Sequence, residues 1–138
     1  MPAGYSGTPL VRKLGYKPGM RVHHAGAPAR FEDLLDGLPD GLTVLERPAH
    51  DLDLALLFVT RRRELERGLA VLQPKLQPAG MIWVAWPKRA SKLPTDVTED
   101  VVRAVALPRG LVDVKVCAID EVWSGLKLVI RKDLRRRA

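Results

Sequence analysis

Cysteine is almost absent: Cys117 is the only one among 138 residues. A lone thiol closes no internal disulfide and builds no thiolate zinc cage, so a disulfide-stapled secreted scaffold is excluded. No apolar run approaches the roughly 18 residues that span a bilayer, and the N-terminus has no apolar signal core. There is no internal repeat and no low-complexity linker. Paired catalytic carboxylates, a nucleophile–base pair and a phosphate-binding P-loop signature are all missing. These absences predict a soluble, cytoplasmic domain with no membrane partner.

What is present is a globular balance, 46% apolar and 28% charged residues. One α/β domain over residues 1–138 is expected, large enough to bury a full core. The net charge of +7 is unevenly placed. Residues 1–59 carry 6 positive and 7 negative side chains, and residues 60–92 carry 8 and 2. Residues 93–130 carry 4 and 6, and the basic tail 131–138 carries 5 and 1. By this tally one internal stretch and the tail hold all the excess, and such patches attract anions.

Residues 1–19 read as turns around one short helix, with Pro9 at its first position and Gly15 as its stop. A strand follows at 20–25. Pro28 then opens the clearest helical pattern, with Phe31, Leu34, Leu35 and Leu38 at i, i+3, i+4 and i+7. Further strands are predicted at 42–46 and 54–59, the latter apolar on both faces as in a covered parallel sheet. Thr60 suits the cap of a helix striped by Leu65, Leu69, Leu72 and Leu76, interrupted at Pro74. A turn at Pro78-Ala79-Gly80 leads to a strand at 81–86, a basic loop at 87–94 and a helix at 95–106. Residues 111–119 alternate, and a short turn joins them to a strand at 126–130. Strands so joined pair antiparallel. The string predicts an open, mostly parallel six-stranded sheet flanked by helices, with an antiparallel hairpin at one edge.

This pattern resembles a trimmed class I methyltransferase (Rossmann-like) fold. Leu76-Gln77-Pro78-Ala79-Gly80-Met81 is similar to the proline–glycine turn before a late strand of those enzymes, and residues 51–56 to their aspartate-led strand. The resemblance implies the strand order 2-1-3-4-6-5, with the last strand antiparallel. A second, closer resemblance spans the whole chain. The collinear strings Gly4-Tyr5-Ser6-Gly7-Thr8-Pro9-Leu10, Trp86-Pro87-Lys88, Thr95-Asp96-Val97-Thr98-Glu99, Val112-Asp113-Val114-Lys115-Val116-Cys117 and Val122-Trp123-Ser124-Gly125-Leu126-Lys127 resemble a short bacterial family catalogued as a domain of unknown function (family 3052). It implies a fold and no activity.

Working methyltransferases follow their first strand with a Gly-x-Gly-x-Gly loop, because a side chain there would block the methyl donor. Here the stretch is His23-His24-Ala25-Gly26-Ala27-Pro28-Ala29, with Gly26 alone, and Pro28 removes an N–H that could face a ligand. Glu46 ends the second strand where the resemblance places a ribose-holding acid. One helix–strand unit that walls the adenine side is absent. His23 and His24 point to opposite faces of a strand and cannot share an ion, so no metal site is expected.

The remaining candidates are basic or aromatic. Thr60, Arg61, Arg62 and Arg63 follow the third strand, while Lys88, Arg89 and Lys92 follow the fourth. Ligands in open parallel sheets bind beyond the carboxyl ends of the strands, so these groups outline an anion crevice. Trp86 and Trp123, at strand ends, are placed to stack on a ligand or partner. The ligand-binding set is therefore Gly26, Glu46, Thr60, Arg61, Trp86, Lys88 and Lys92. The reading is a non-catalytic or ligand-sensing methyltransferase-like module, with no cofactor, that binds an anionic small molecule or a protein partner. The alternatives are an S-adenosylmethionine-dependent methyltransferase and nucleic-acid binding through the basic tail.

Overall fold

A computed structural model describes residues 9–135. Six strands form one sheet in the order β2-β1-β3-β4-β6-β5. They are β1 (Arg21–Ala25), β2 (Thr43–Leu45), β3 (Leu52–Phe58), β4 (Leu76–Pro87), β5 (Leu111–Ala118) and β6 (Trp123–Ile130). The first four pair in parallel, and β6 runs antiparallel to both β4 and β5. Order and directions match the expectation in full.

The double-faced apolar strands split the core in two. Ala55, Leu57, Ile82, Val84 and Trp86 pack with α2 (Arg62–Leu72) and α3 (Glu99–Ala106) on one face. Leu54, Leu56, Phe58, Trp83 and Ala85 pack on the other, under α1 (Leu10–Leu14) and the residues around Phe31. Trp83 ties the layers together, donating its indole N–H to the Leu14 carbonyl at 2.8 Å.

Several local expectations change. The helix predicted from Pro28 is a single 3-10 turn, Phe31–Leu34. Phe31 and Leu35 are buried, but Leu34 and Leu38 remain 37% and 41% exposed. Gly37 at φ +77 and the following Pro39 cut the segment short. A helix of so few turns is marginal unless a whole apolar face is covered, and here half of it is not. Pro9 is the cap of α1 rather than its first residue, while Gly15 at φ +92 ends the helix as expected. Residues 78–80 are part of β4, not a turn. They form an irregularity in its pairing with β3, whose register passes from Leu52↔Leu76 to Leu54↔Met81. Gly80 is required there, since a Cβ would lie 2.7 Å from the Leu52 carbonyl oxygen. Leu76 accordingly opens β4 instead of closing the helix stripe, and α2 ends at Leu72.

The alternation expected in 111–119 is also broken. Val114 is an extra residue between Asp113↔Leu128 and Lys115↔Lys127, so Val114 and Val116 stand 53% and 48% exposed. A bulge of this kind on a free edge hinders strand addition from outside. Beyond β6, the Arg131 amide bonds the Gly110 carbonyl at 2.9 Å. The glycine-rich string at 4–8 and the arginines at 136 and 137 lie outside the described residues.

Candidate functional site

Ligands of open parallel sheets sit beyond the strand carboxyl ends, here after Ala25, Phe58 and Pro87. The β5–β6 turn closes over the same edge, with Pro87 paired to Trp123 and the Lys88 amide bonded to the Val122 carbonyl at 2.7 Å. That turn is self-built: the Asp120 carboxylate accepts the amides of Val122 and Trp123 at 2.8 and 2.7 Å.

The start of α2 is closed by the chain's own carboxylates. Glu64 reaches back to the amides of Thr60 and Arg61 at 2.9 and 3.0 Å. Asp96, from the loop before α3, accepts the Arg62 amide at 2.7 Å. The Thr60 carbonyl in turn accepts the Thr95 hydroxyl at 2.7 Å. Thr60 therefore does not cap the helix with its own oxygen; its hydroxyl donates to Glu64. The amides of Thr60, Arg61 and Arg62, which could attract an anion at this helix start, are therefore already taken. These hydrogen bonds hold the Glu64 carboxyl below its ordinary range.

The other predicted residues are scattered along the edge. Gly26 ends β1 at φ +69, and a Cβ there would lie 2.8 Å from the Phe58 carbonyl oxygen. The packing of strand ends by itself demands that glycine. Glu46 is exposed just beyond β2. Trp86 is 7% exposed inside the core shared with α2 and α3. It does not face a crevice, because residue 86 falls on the helix-covered side of a strand buried on both faces. Lys88 is half-buried, and its ammonium donates to the Asp120 carbonyl at 2.7 Å. Lys92 is exposed at φ +62, ending a short 3-10 turn. Thr60 and Arg61 thus join the loop before α3, while Lys88 joins the hairpin turn.

Aromatic side chains occupy the second face below this edge. Tyr16 and His24 are joined at 2.7 Å, and edge-to-face contacts run on through Phe31 and Phe58 to Trp123. Burial, helped by the nearby His23, pulls the His24 pKa down to about 4, and burial pushes the Tyr16 phenol up. His24 is therefore neutral near pH 7 and accepts from the Tyr16 hydroxyl. His23 turns the other way, bonding the Leu45 carbonyl at 2.8 Å. Among the described residues no group of three His, Cys, Asp or Glu side chains gathers to hold a metal. Burial also raises the Cys117 thiol pKa, against the pull of Lys13, Lys115 and Lys88.

Between Pro28, Phe31, Leu34, Phe58 and Trp123 remains a cavity of about 110 Å³. Small-molecule sites usually offer about 300–1,000 Å³. The residues present do not fit S-adenosylmethionine. The space is small, one glycine stands where three would clear a path, and Pro28, in the turn after β1, has no N–H to offer. A larger hollow of about 850 Å³ lies at the opposite edge, lined by Asp51, Gln73, Gln77, Arg109 and Leu134 among others. Sequence reasoning missed Asp96, Asp120 and the Phe58–Trp123 contact, which unite distant segments. Glu64 was within reach as an acid in the first turn of its helix.

No helix among the described residues is long and apolar enough to cross a membrane. No family model matches the chain, and no curated protein matches it by sequence. Solved structures do. A protein assigned to the type 11 methyltransferases from Sulfolobus solfataricus superimposes over 91% of this chain and 92% of its own, with a TM-score of 0.63 and 13% identity. The N-methyltransferase NodS from Bradyrhizobium japonicum covers 88% of this chain and 90% of its own at TM-score 0.55 and 13% identity. TrmN from Thermus thermophilus matches 88% of this chain with 47% of its own, at TM-score 0.55 and 16% identity. The chain has the class I methyltransferase fold.

Proposed function

We propose that this chain is a non-catalytic methyltransferase-fold module that works by binding an anionic small molecule or a protein partner. One observation carries the reading: the edge where a methyl donor would lie is filled by Phe31, Phe58 and Trp123, leaving about 110 Å³. Fold alone does not decide activity. Exposed Arg61, Arg63 and Lys92 supply positive charge along the same edge. Membership of the family of unknown function belongs to the same proposal. It is supported by the way two of the resembling strings fold together, Trp86-Pro87-Lys88 against Val122-Trp123-Ser124.

Calorimetry with S-adenosylmethionine and S-adenosylhomocysteine tests the reading. No heat of binding is expected from either; micromolar affinity for either one overturns it. The second reading, an S-adenosylmethionine-dependent methyltransferase, is favoured by end-to-end likeness to the Sulfolobus solfataricus protein. It requires donor binding in the same experiment.

A further inference from the structure

All six ion pairs among the described residues use arginine. The lysines have no carboxylate partner there, and several of them meet on one sheet face. Lys115 of β5 lies directly opposite Lys127 of β6. Like charges so placed repel. Burial, then the positive charges of Lys115 and Lys17, lowers the Lys127 ammonium pKa. Lys13, on α1, reaches the Ala118 carbonyl at the end of β5 at 3.4 Å.

The two aspartates of β5 and the hairpin turn are engaged elsewhere. Asp113 pairs with Arg103 at 2.8 Å on the α3 side, and Asp120 holds the hairpin turn. Glu121 is exposed in that turn. Residues 1–8 and 136–138 contribute no acidic side chain. A lysine on β5 alone would serve to blunt a free sheet edge. Lys127 has no such use, because β6 is paired on both sides, to β4 and β5. A repelling lysine pair, with its inner-strand member Lys127 half-buried, opposes folding and is relieved by a ligand that neutralises it.

We propose that Lys13, Lys17, Lys115 and Lys127 form a binding face for a chain of phosphates on the β5–β6 hairpin. The ammonium binds phosphate as a compact point charge, and the carboxylate pairs among the described residues use guanidinium instead. The site is a face and not a cavity, so it fits an extended polyanion held through its backbone, the chemistry shared by nucleic acid and inorganic polyphosphate. This proposal is independent of the donor edge, which lies beyond the strand ends.

The test uses the full chain with a labelled oligodeoxythymidylate, read by fluorescence anisotropy across a salt series, with polyphosphate and polyglutamate as competitors. Four neutralised phosphates on a single strand give a log–log salt slope of about −3. Lys115→Gln with Lys127→Gln is expected to weaken binding about tenfold at low salt and to reduce the slope by about 1.4. Arg136→Gln with Arg137→Gln is expected to keep most of the affinity. The melting temperature of the lysine double variant without ligand is expected to hold or rise, since the repelling pair is gone. Displacement of the oligonucleotide by polyphosphate supports the shared chemistry, and failure of polyphosphate to compete makes nucleic acid the source. The proposal is overturned if the lysine double variant binds like the parent, if binding vanishes with the two tail arginines, or if polyglutamate competes as well as polyphosphate. A fall in the double variant's melting temperature equally refutes the strained pair on which it stands.

Discussion

The carboxylate of Asp96 accepts the amide of Arg62 at 2.7 Å, joining the loop before α3 to the start of α2 across 34 residues. With Glu64 it fills the position where a bound anion would otherwise cap the helix. An internal carboxylate therefore does at this helix what a substrate phosphate does in many open α/β sheets.

Removing that carboxylate should expose the site. Asp96→Ala is expected to destabilise the fold by about 1 kcal/mol, as for loss of a helix cap. Urea unfolding would show a lower midpoint at unchanged slope. Sulfate should then stabilise the variant more than the parent. Equal sulfate effects in both would mean that the helix start does not attract anions.

The Tyr16–His24 bond predicts a pH dependence. His24 has a pKa of about 4 in the fold against an ordinary 6.5, so between those values the unfolded chain takes up a proton that the folded chain refuses. Stability should be full above pH 6.5 and fall progressively toward pH 4. The carboxylates held low, Glu64, Asp113 and Asp133, act only below their ordinary values of 4.5, 3.8 and 3.8. Loss between pH 6.5 and 5 thus reports on His24. Denaturant titrations across this window should show the slope in the parent and not in His24→Leu; the same slope in both would refute the assignment.

Gly26→Ala should damage folding rather than binding alone. The added methyl meets the Phe58 carbonyl oxygen, and φ +69 is strained for any other residue. A loss of about 2 kcal/mol is expected from the conformation and the clash together. An unchanged melting temperature would mean that Gly26 is not held by packing.

Trp83→Phe should loosen α1. The substitution leaves the buried Leu14 carbonyl without its indole donor. An unpaired buried acceptor costs about 1–3 kcal/mol. Hydrogen exchange should quicken in α1 and β4 before β5. Uniform acceleration across the chain would show that the indole bond holds the whole domain, not α1 in particular.

The architecture was legible in sequence because it rests on local signals. Two-faced apolar strands at 54–59 and 81–86, the short link between 119 and 126 and the helix periods of α2 and α3 each declare themselves over a few residues. Strand order and the antiparallel edge followed from those elements and from the methyltransferase resemblance. The 28–38 segment failed for an equally physical reason. Its helical spacing is genuine, but a pattern shows which residues share a face and not whether anything covers that face. Leu34 and Leu38 remained uncovered, and a single 3-10 turn was the result.

Charge was read least well, because a tally along the chain cannot add residues that meet only in space. Lys13 and Lys17 sit in a segment with a net charge of −1, and Lys115 and Lys127 in one of −2. Antiparallel pairing of β5 with β6 sets two of these lysines opposite each other, the packing of α1 brings Lys13 to the end of β5, and the charge of Lys17 is felt by Lys127. The same applies to the donor edge: Glu64, Asp96 and Asp120 are ordinary surface acids in sequence. The sequence by itself determined which elements form and how the sheet is wound, since apolar periodicity and turn lengths act locally. Only the tertiary structure decided which helix start is closed, which tryptophan is buried and where the unpaired lysines converge, since contact between distant segments sets each of these.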